Sequence, residues 1–201
     1  MGDNLFTNYI TSEEDRIAHF IAKQVKIDRV RLKQADDEAG LSNCVKHTVG
    51  CVITDVHGRI VSTGRNGAPA NALNCSERFP HYFADSKRFA AICNNLDNPH
   101  SEREHAANEL DKLNKEHHAW SADNEIHAEA NAIMHSSPEK RMGGTLYVNL
   151  QPCPHCAKLI AGSGVARVVF GKTYGRTNDE QTQKLFNDAG IQYIIIPNFL
   201  E

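Results

Sequence analysis

Two short segments constrain this chain more than anything else in it: His127-Ala128-Glu129 and Pro152-Cys153-Pro154-His155-Cys156. A histidine nitrogen and two thiolates make three ligands for a zinc ion, and three protein ligands leave a fourth position open for a water. The fold must therefore bring the two segments together around one metal. Glu129 stands two residues past the histidine, free to move protons rather than bind metal. Both segments read as helix starts, one opened by His127 and Glu129, the other by Cys153 and Cys156. A helix N-terminus carries partial positive charge and unpaired N–H groups. That environment favours thiolate over thiol. Cys153 and Cys156 are three apart, on one face of a first turn, and can reach one ion. Alone, a Cys-x-x-Cys pair could be redox-active or structural zinc. Joined to His-x-Glu and the proline before the first cysteine, it points to an open metal site.

The 201 residues are enough for one domain with a real core. The formal charge of −3 leaves no basic footprint for DNA or RNA, which argues against a polymer substrate. No stretch is apolar for long enough to span a membrane. The N-terminus lacks the basic and then apolar pattern of a signal peptide. A cytoplasmic protein is expected, with its six cysteines reduced.

Thr11-Ser12-Glu13-Glu14 is a helix start, and a partial apolar stripe predicts a helix over about 11–35. VGCVI (49–53), a turn at His57-Gly58 and RIVST (59–63) predict a hairpin. Residues 71–122 are polar and histidine-rich, with helical stretches such as 101–115, and read as an insertion on the core fold. After it, helix and strand alternate: helix 128–135, strand 145–150, helix 153–161, strand 167–170, helix 179–188 and strand 191–196. Alternation implies parallel pairing with helical crossovers. The expected class is a layered α/β fold in a single domain over 1–201.

The order His-x-Glu…Pro-Cys-x-x-Cys is the signature of zinc deaminases that act on nucleobases. The likeness runs further, through VGCVI and its hairpin, STGRNGAP, NALNC, WSADNEIHAEANAI, TLYVNLQPCPHCAKLIAGSGV and the TYG at Tyr174. Over residues 44–75 and 117–196 the chain resembles the deoxycytidylate (dCMP) deaminases of the T-even phage type, in the cytidine/deoxycytidylate deaminase superfamily. The resemblance implies a cytidine-deaminase-like α/β/α sandwich with a five-stranded mixed sheet. It implies a homohexamer that hydrolyses dCMP to dUMP for dTMP synthesis, activated by dCTP with Mg²⁺ and inhibited by dTTP. It makes His127, Cys153 and Cys156 the ligands of a catalytic zinc, with Glu129 carrying protons from the water to the ring and the departing ammonia. Asn66, Ala128 and Tyr174 fall at substrate positions, and the Arg65-Asn66-Gly67 loop where effector binding is coupled to the active site. The phage branch adds a second zinc, whose ligands fall on Cys44, Cys75, His117 and Glu125. His118 beside His117 leaves its third ligand open. Such a closed site would staple the polar insertion to the helix carrying His127. If the chain is phage-encoded, its compartment is the host cytoplasm.

Other readings keep part of this. The substrate could be dCTP, cytidine or a base within a polymer. A non-catalytic nucleotide-binding regulator could lose Glu129 or a ligand without loss of fold, yet all four are present. A redox protein requires a reversible Cys153–Cys156 disulfide. Lys46, His47, Thr48 and Tyr174 are candidates for the substrate phosphate, and Cys51 reads as a core residue.

Overall fold

In the computed structural model, which describes residues 12–173 and 179–200, the chain opens with the helix its hydroxyl cap announces. Helix α1 is Glu13–Ala39; the Ser12 hydroxyl accepts from the Asp15 amide at 3.0 Å, and Glu13, Glu14 and Asp15 fill the first turn. Acids there suit the positive end of the helix. The helix runs past residue 35 because its last turn buries Ala35 and Ala39, residues too small to mark an apolar stripe. They lie against Gly50, where an added methyl would sit 2.5 Å from the Ala39 nitrogen.

The expected hairpin follows as β1 (Gly50–Thr54) and β2 (Ile60–Arg65), paired antiparallel. Asp55 builds its turn by accepting from the His57 and Arg59 amides, both at 2.9 Å, and Gly58 takes φ +77. Three more strands complete one mixed sheet: β3 (Thr145–Leu150), β4 (Arg167–Lys172) and β5 (Gln192–Ile195). The order is β2-β1-β3-β4-β5, with β1 antiparallel to both neighbours and β3, β4 and β5 parallel.

Strand alternation assigns the two faces. Cys51, Ile53, Leu146, Val148, Val168 and Phe170 face one way, packing on α5 (Ala128–Met134), α7 (Pro154–Ala161) and α8 (Asp179–Asp188). Val52, Tyr147 and Val169 face the other way, against Leu32 and Ala35 of α1 and against Ile196 and Phe199. This is the expected three-layer α/β/α arrangement, with Cys51 in the core as expected. A short helix, α6 (Pro138–Arg141), precedes β3.

Residues 71–122 contribute α2 (Cys75–Arg78), α3 (Tyr82–Asn94) and nearly all of α4 (His100–Asn124). The segment is more helical than its sequence suggests. α3 gives no clear pattern because Tyr82 is its only buried residue. The apolar cluster here is small: Cys44, Cys75, Phe79 and Tyr82, with Val45, Leu113 and Trp120 against them. Among the described residues no helix is long and apolar enough to cross a membrane.

Candidate active site and metal centres

The site lies beside the C-terminal end of β3, where parallel α/β sheets characteristically leave a crevice. The chain leaves β3 at Leu150, and Cys153 caps α7 three residues later, its sulfur accepting from the Cys156 amide at 3.5 Å. His127 is the N-cap of α5 in extended backbone, φ −68 and ψ 153. Its Nδ1 lies 3.5 Å from Cys153 Sγ and 3.3 Å from Cys156 Sγ. The three donor atoms sit within 4.8 Å of one another, close enough to hold one ion. The Cys153 thiol is pulled far down, first by hydrogen bonding with Cys156 and then, against burial, by His127. Cys156 is pushed up by the same pairing and by burial. His127 is raised, first through its contact with Cys153. A Cys153 thiolate and a protonated His127 stabilise one another here, and a metal ion would have to displace that proton.

Glu129 stands in the first turn of α5 and is only 3% exposed. Burial raises its pKa, opposed by a backbone hydrogen bond and by the charge of His127. A buried carboxyl with a raised pKa, beside candidate metal ligands, suits proton transfer. These groups line a cavity of about 870 Å³, to which His118 and Ser121 of α4 also contribute. His155 is exposed on this cavity rather than joined to the two cysteines.

Three of the four residues expected at a second metal site, Cys44, Cys75 and His117, also come together. Cys44 and Cys75 sulfurs lie 4.0 Å apart, and His117 Nε2 is 3.7 Å from the first and 3.3 Å from the second. All three residues are buried. Burial lowers the His117 pKa to about 4, which keeps a lone pair on the ring. Burial likewise raises Glu125, which interacts with both thiols. Its Oε1 is buried with no hydrogen-bond partner among the described residues. The Glu125 carboxylate stands outside the trio whose donor atoms lie within 4.8 Å of one another, but its buried, unpartnered oxygen beside two thiols that it interacts with fits a nearby cation. His118, next in the chain, lines the cavity and does not join the cluster.

One strap ties the two clusters together. Glu125 ends α4, Ile126 follows and His127 opens α5. Ile126 exchanges two backbone hydrogen bonds with Gly67, at 2.9 and 3.1 Å. Asn66, beside it, is 7% exposed and mostly committed: its Oδ1 accepts from Ser42 Oγ and the Val49 amide, and its Nδ2 donates to the His47 carbonyl at 2.9 Å. Its second Nδ2 hydrogen has no partner among the described residues. Ala128 is buried at the cavity wall. Asn66 also borders a second cavity, of about 350 Å³, lined by Arg65 and Gly67. Tyr174 lies outside the described residues.

Sequence reasoning missed two supports. Asn131 Nδ2 donates to the Arg65 carbonyl at 2.7 Å, locking the loop to α5. A polar residue inside the apolar run of α5 was the available signal. Ser42, which holds Asn66 by side chain and backbone, carried none.

A family model described as the cytidine and deoxycytidylate deaminase zinc-binding region matches residues 25–172. The deoxycytidylate deaminase of Enterobacteria phage T4 is 36% identical over 166 residues, covering 78% of this chain and 82% of the relative. That of Enterobacteria phage T2 is 35% identical over 164 residues, covering 78% and 85%. Among solved structures, the dCMP deaminase of cyanophage S-TIM5 in complex with dCMP and dUMP superposes with a TM-score of 0.56 at 24% identity, over 85% of this chain and 97% of that one. That likeness is one of fold.

Proposed function

The chain belongs to the cytidine and deoxycytidylate deaminase family, and on that premise we propose that it hydrolyses dCMP to dUMP and ammonia. The observation that carries the reading is the convergence of His127, Cys153 and Cys156 on one cavity, with the buried Glu129 carboxyl beside them. The choice of dCMP rests on the names of the phage relatives.

His127, Cys153 and Cys156 would hold a zinc ion, and their chemistry fits it: one imidazole and two sulfurs, one of them strongly favouring thiolate. When bound, zinc supplies a polarised water of near-neutral pKa. Glu129 takes a proton from the attacking water and passes it to N3 of the ring. It then takes the proton of the new C4 hydroxyl and delivers it to the amine, so that C4=O forms as the C4–N4 bond breaks and ammonia leaves. Ala128 and Asn66 form wall positions against the substrate, and Tyr174 is assigned there by resemblance alone. Cys44, Cys75, His117 and Glu125 would hold a second, structural zinc, a reading supported by the unpartnered Glu125 oxygen.

The rest of the proposal reaches further. The whole chain is read as one deaminase domain carrying residues 71–122 as an insertion. Effector control by dCTP with Mg²⁺ and by dTTP would act through Arg65, Asn66 and Gly67. The support is positional: Asn66 borders both cavities, and Gly67 is bonded to the residue before His127. A homohexamer and a cytoplasmic setting, that of the host if the chain is phage-encoded, complete the reading. The experiment is ammonia release by zinc-loaded protein from dCMP, dCTP, deoxycytidine and cytidine, each with and without dCTP–Mg²⁺ or dTTP. Turnover of dCMP, raised by dCTP and suppressed by dTTP, is expected. Turnover of cytidine or dCTP with dCMP inert would overturn the substrate. No turnover of any of them by zinc-loaded protein would leave a nucleotide-binding regulator.

A further inference from the structure

Where β1 begins, side chains take over the work of neighbouring strands. The β1–β3 pairing ends at Cys51 and Val148. The backbone groups of Gly50 and Thr48 that face the same way need other partners. Asn149 of β3 supplies them: its Oδ1 accepts from the Gly50 amide at 3.1 Å, and its Nδ2 donates to the Thr48 carbonyl at 3.3 Å. Asn66 serves the intervening residues in the same manner. Its Oδ1 accepts from the Val49 amide at 2.8 Å, and its Nδ2 donates to the His47 carbonyl at 2.9 Å. Successive residues of an extended chain present their backbone groups to opposite edges. The two side-chain amides therefore bracket residues 47–50 from both edges.

Asn149 is 3% exposed, and its amide is held from behind. Its other Nδ2 hydrogen goes to Asp36 Oδ1 of α1 at 3.0 Å, and Lys172 Nζ lies 3.4 Å from the same oxygen. A carboxylate accepts and cannot donate. Asp36 thus fixes Nδ2 on its own side and leaves Oδ1 for the Gly50 amide. The bracketed segment matters because His47, Val49 and Asn66 line the larger cavity beside the metal centre, whereas Asn149 does not. We propose that Asn149, oriented by Asp36, is a positioning residue for substrate binding: it holds residues 47–50 as a wall of that cavity without touching the ligand. This rests on the reading of the larger cavity as the substrate site. His127, Glu129, Cys153 and Cys156 belong to α5 and α7, while the hydrogen bonds of Asn149 reach α1 and the start of β1. Its loss therefore weakens binding and spares the chemical step.

The experiment compares Asn149→Ala and Asp36→Ala with Tyr147→Phe. The last removes a buried hydroxyl two residues earlier on the same face of β3, at a residue that lines neither cavity. Steady-state kinetics on dCMP, zinc content and Tm are measured on all three. Asn149→Ala should raise KM about tenfold, with kcat within about twofold of the parent and zinc content unchanged. Asp36→Ala should shift KM the same way by about threefold. Tyr147→Phe should melt lower at the parent KM. A parent KM in folded Asn149→Ala would overturn the proposal, as would a fall in kcat without a rise in KM. If Asn149→Ala does not fold, a parent KM in Asp36→Ala overturns it instead. A parent that does not turn over dCMP would fail the catalytic reading separately. The comparison then uses the Kd of dCMP by isothermal titration calorimetry, where weaker binding by Asn149→Ala and not by Tyr147→Phe upholds the wall and equal Kd values overturn it.

Discussion

Gly64 is the position at which a single methyl group should damage this site most without touching it. It sits in β2 directly beneath α5. A methyl there would press on the Ala128 carbonyl oxygen and lie 2.5 Å from the Ala132 nitrogen and 3.1 Å from its Cα. All three neighbours are backbone atoms, so no side-chain rotation relieves the contact. Ordinary contact begins at 3.4 Å, and 3.4 less 2.5 leaves α5 to retreat by about 1 Å. That helix carries Glu129 in its first turn and His127 at its cap, whereas Cys153 and Cys156 ride on α7. Gly64→Ala therefore separates one half of the metal centre from the other. A 1 Å misplacement costs about 10²-fold in rate, and overpacking about 1–3 kcal/mol in stability. The control is Gly50→Ala, the same change on the other side of the sheet, where the methyl meets Ala35 and Ala39 of α1. Both variants should melt lower, but only Gly64→Ala should lose kcat and bind zinc more weakly. Ammonia release, zinc content and Tm are measured on both. Near-parent kcat in a folded Gly64→Ala protein would refute the reasoning, as would an equal loss of kcat in Gly50→Ala.

Glu129→Gln should keep its zinc and lose about 10²–10⁴-fold in kcat; zinc-loaded protein turning over at the parent rate would remove Glu129 from the chemistry. Cys75→Ser should bind one zinc per chain where the parent binds two, melt lower and keep measurable turnover; elemental analysis giving two zincs in the variant would remove Cys75 as a ligand. Asp28 is 1% exposed and holds Arg167 at 2.7 and 2.5 Å, so Asp28→Ala should cost about 3–5 kcal/mol by urea unfolding; a loss under about 1 kcal/mol would mean that Arg167 finds another partner. Tyr147 is raised to about 12 by burial and then by Asp28, to which its hydroxyl donates at 3.1 Å. An unfolded tyrosine loses its proton near pH 10 while the folded one keeps it, so this residue's share of stability is full below pH 10 and is lost as pH rises toward 12. Tm between pH 9 and 11 should fall less steeply in Tyr147→Phe, and equal slopes would refute the assignment.

Much of the site was legible in the chain because its chemistry is local. Cys153 and Cys156 share one turn, His127 and Glu129 share another, and helix starts announce themselves through caps and prolines. The strands were legible for the same kind of reason, since VGCVI and TLYVNL carry β-branched and apolar side chains whatever surrounds them. The cysteines and histidine of the second cluster were named only by resemblance. Nothing in their spacing links Cys44 to Cys75 or His117, and it is the packing of α2 and α4 that brings their donor atoms within 4.8 Å.

The tertiary structure alone decided the rest. Strand pattern cannot say that β1 runs antiparallel between β2 and β3, because its five residues are all buried and alternate nothing. The end of α1 and the seat of α5 depend on Gly50 and Gly64, where helix backbone meets strand backbone and a missing Cβ matters more than hydrophobicity. Asn66 read as a ligand contact, yet most of its hydrogen bonds hold the loop itself. Asp28 and Arg167 pair across a sequence separation of 139. The sequence by itself determined the donor atoms and the local elements, since both depend on neighbours a few residues away. Which atoms meet across the fold depends on close approach between distant segments, and only packing sets those distances.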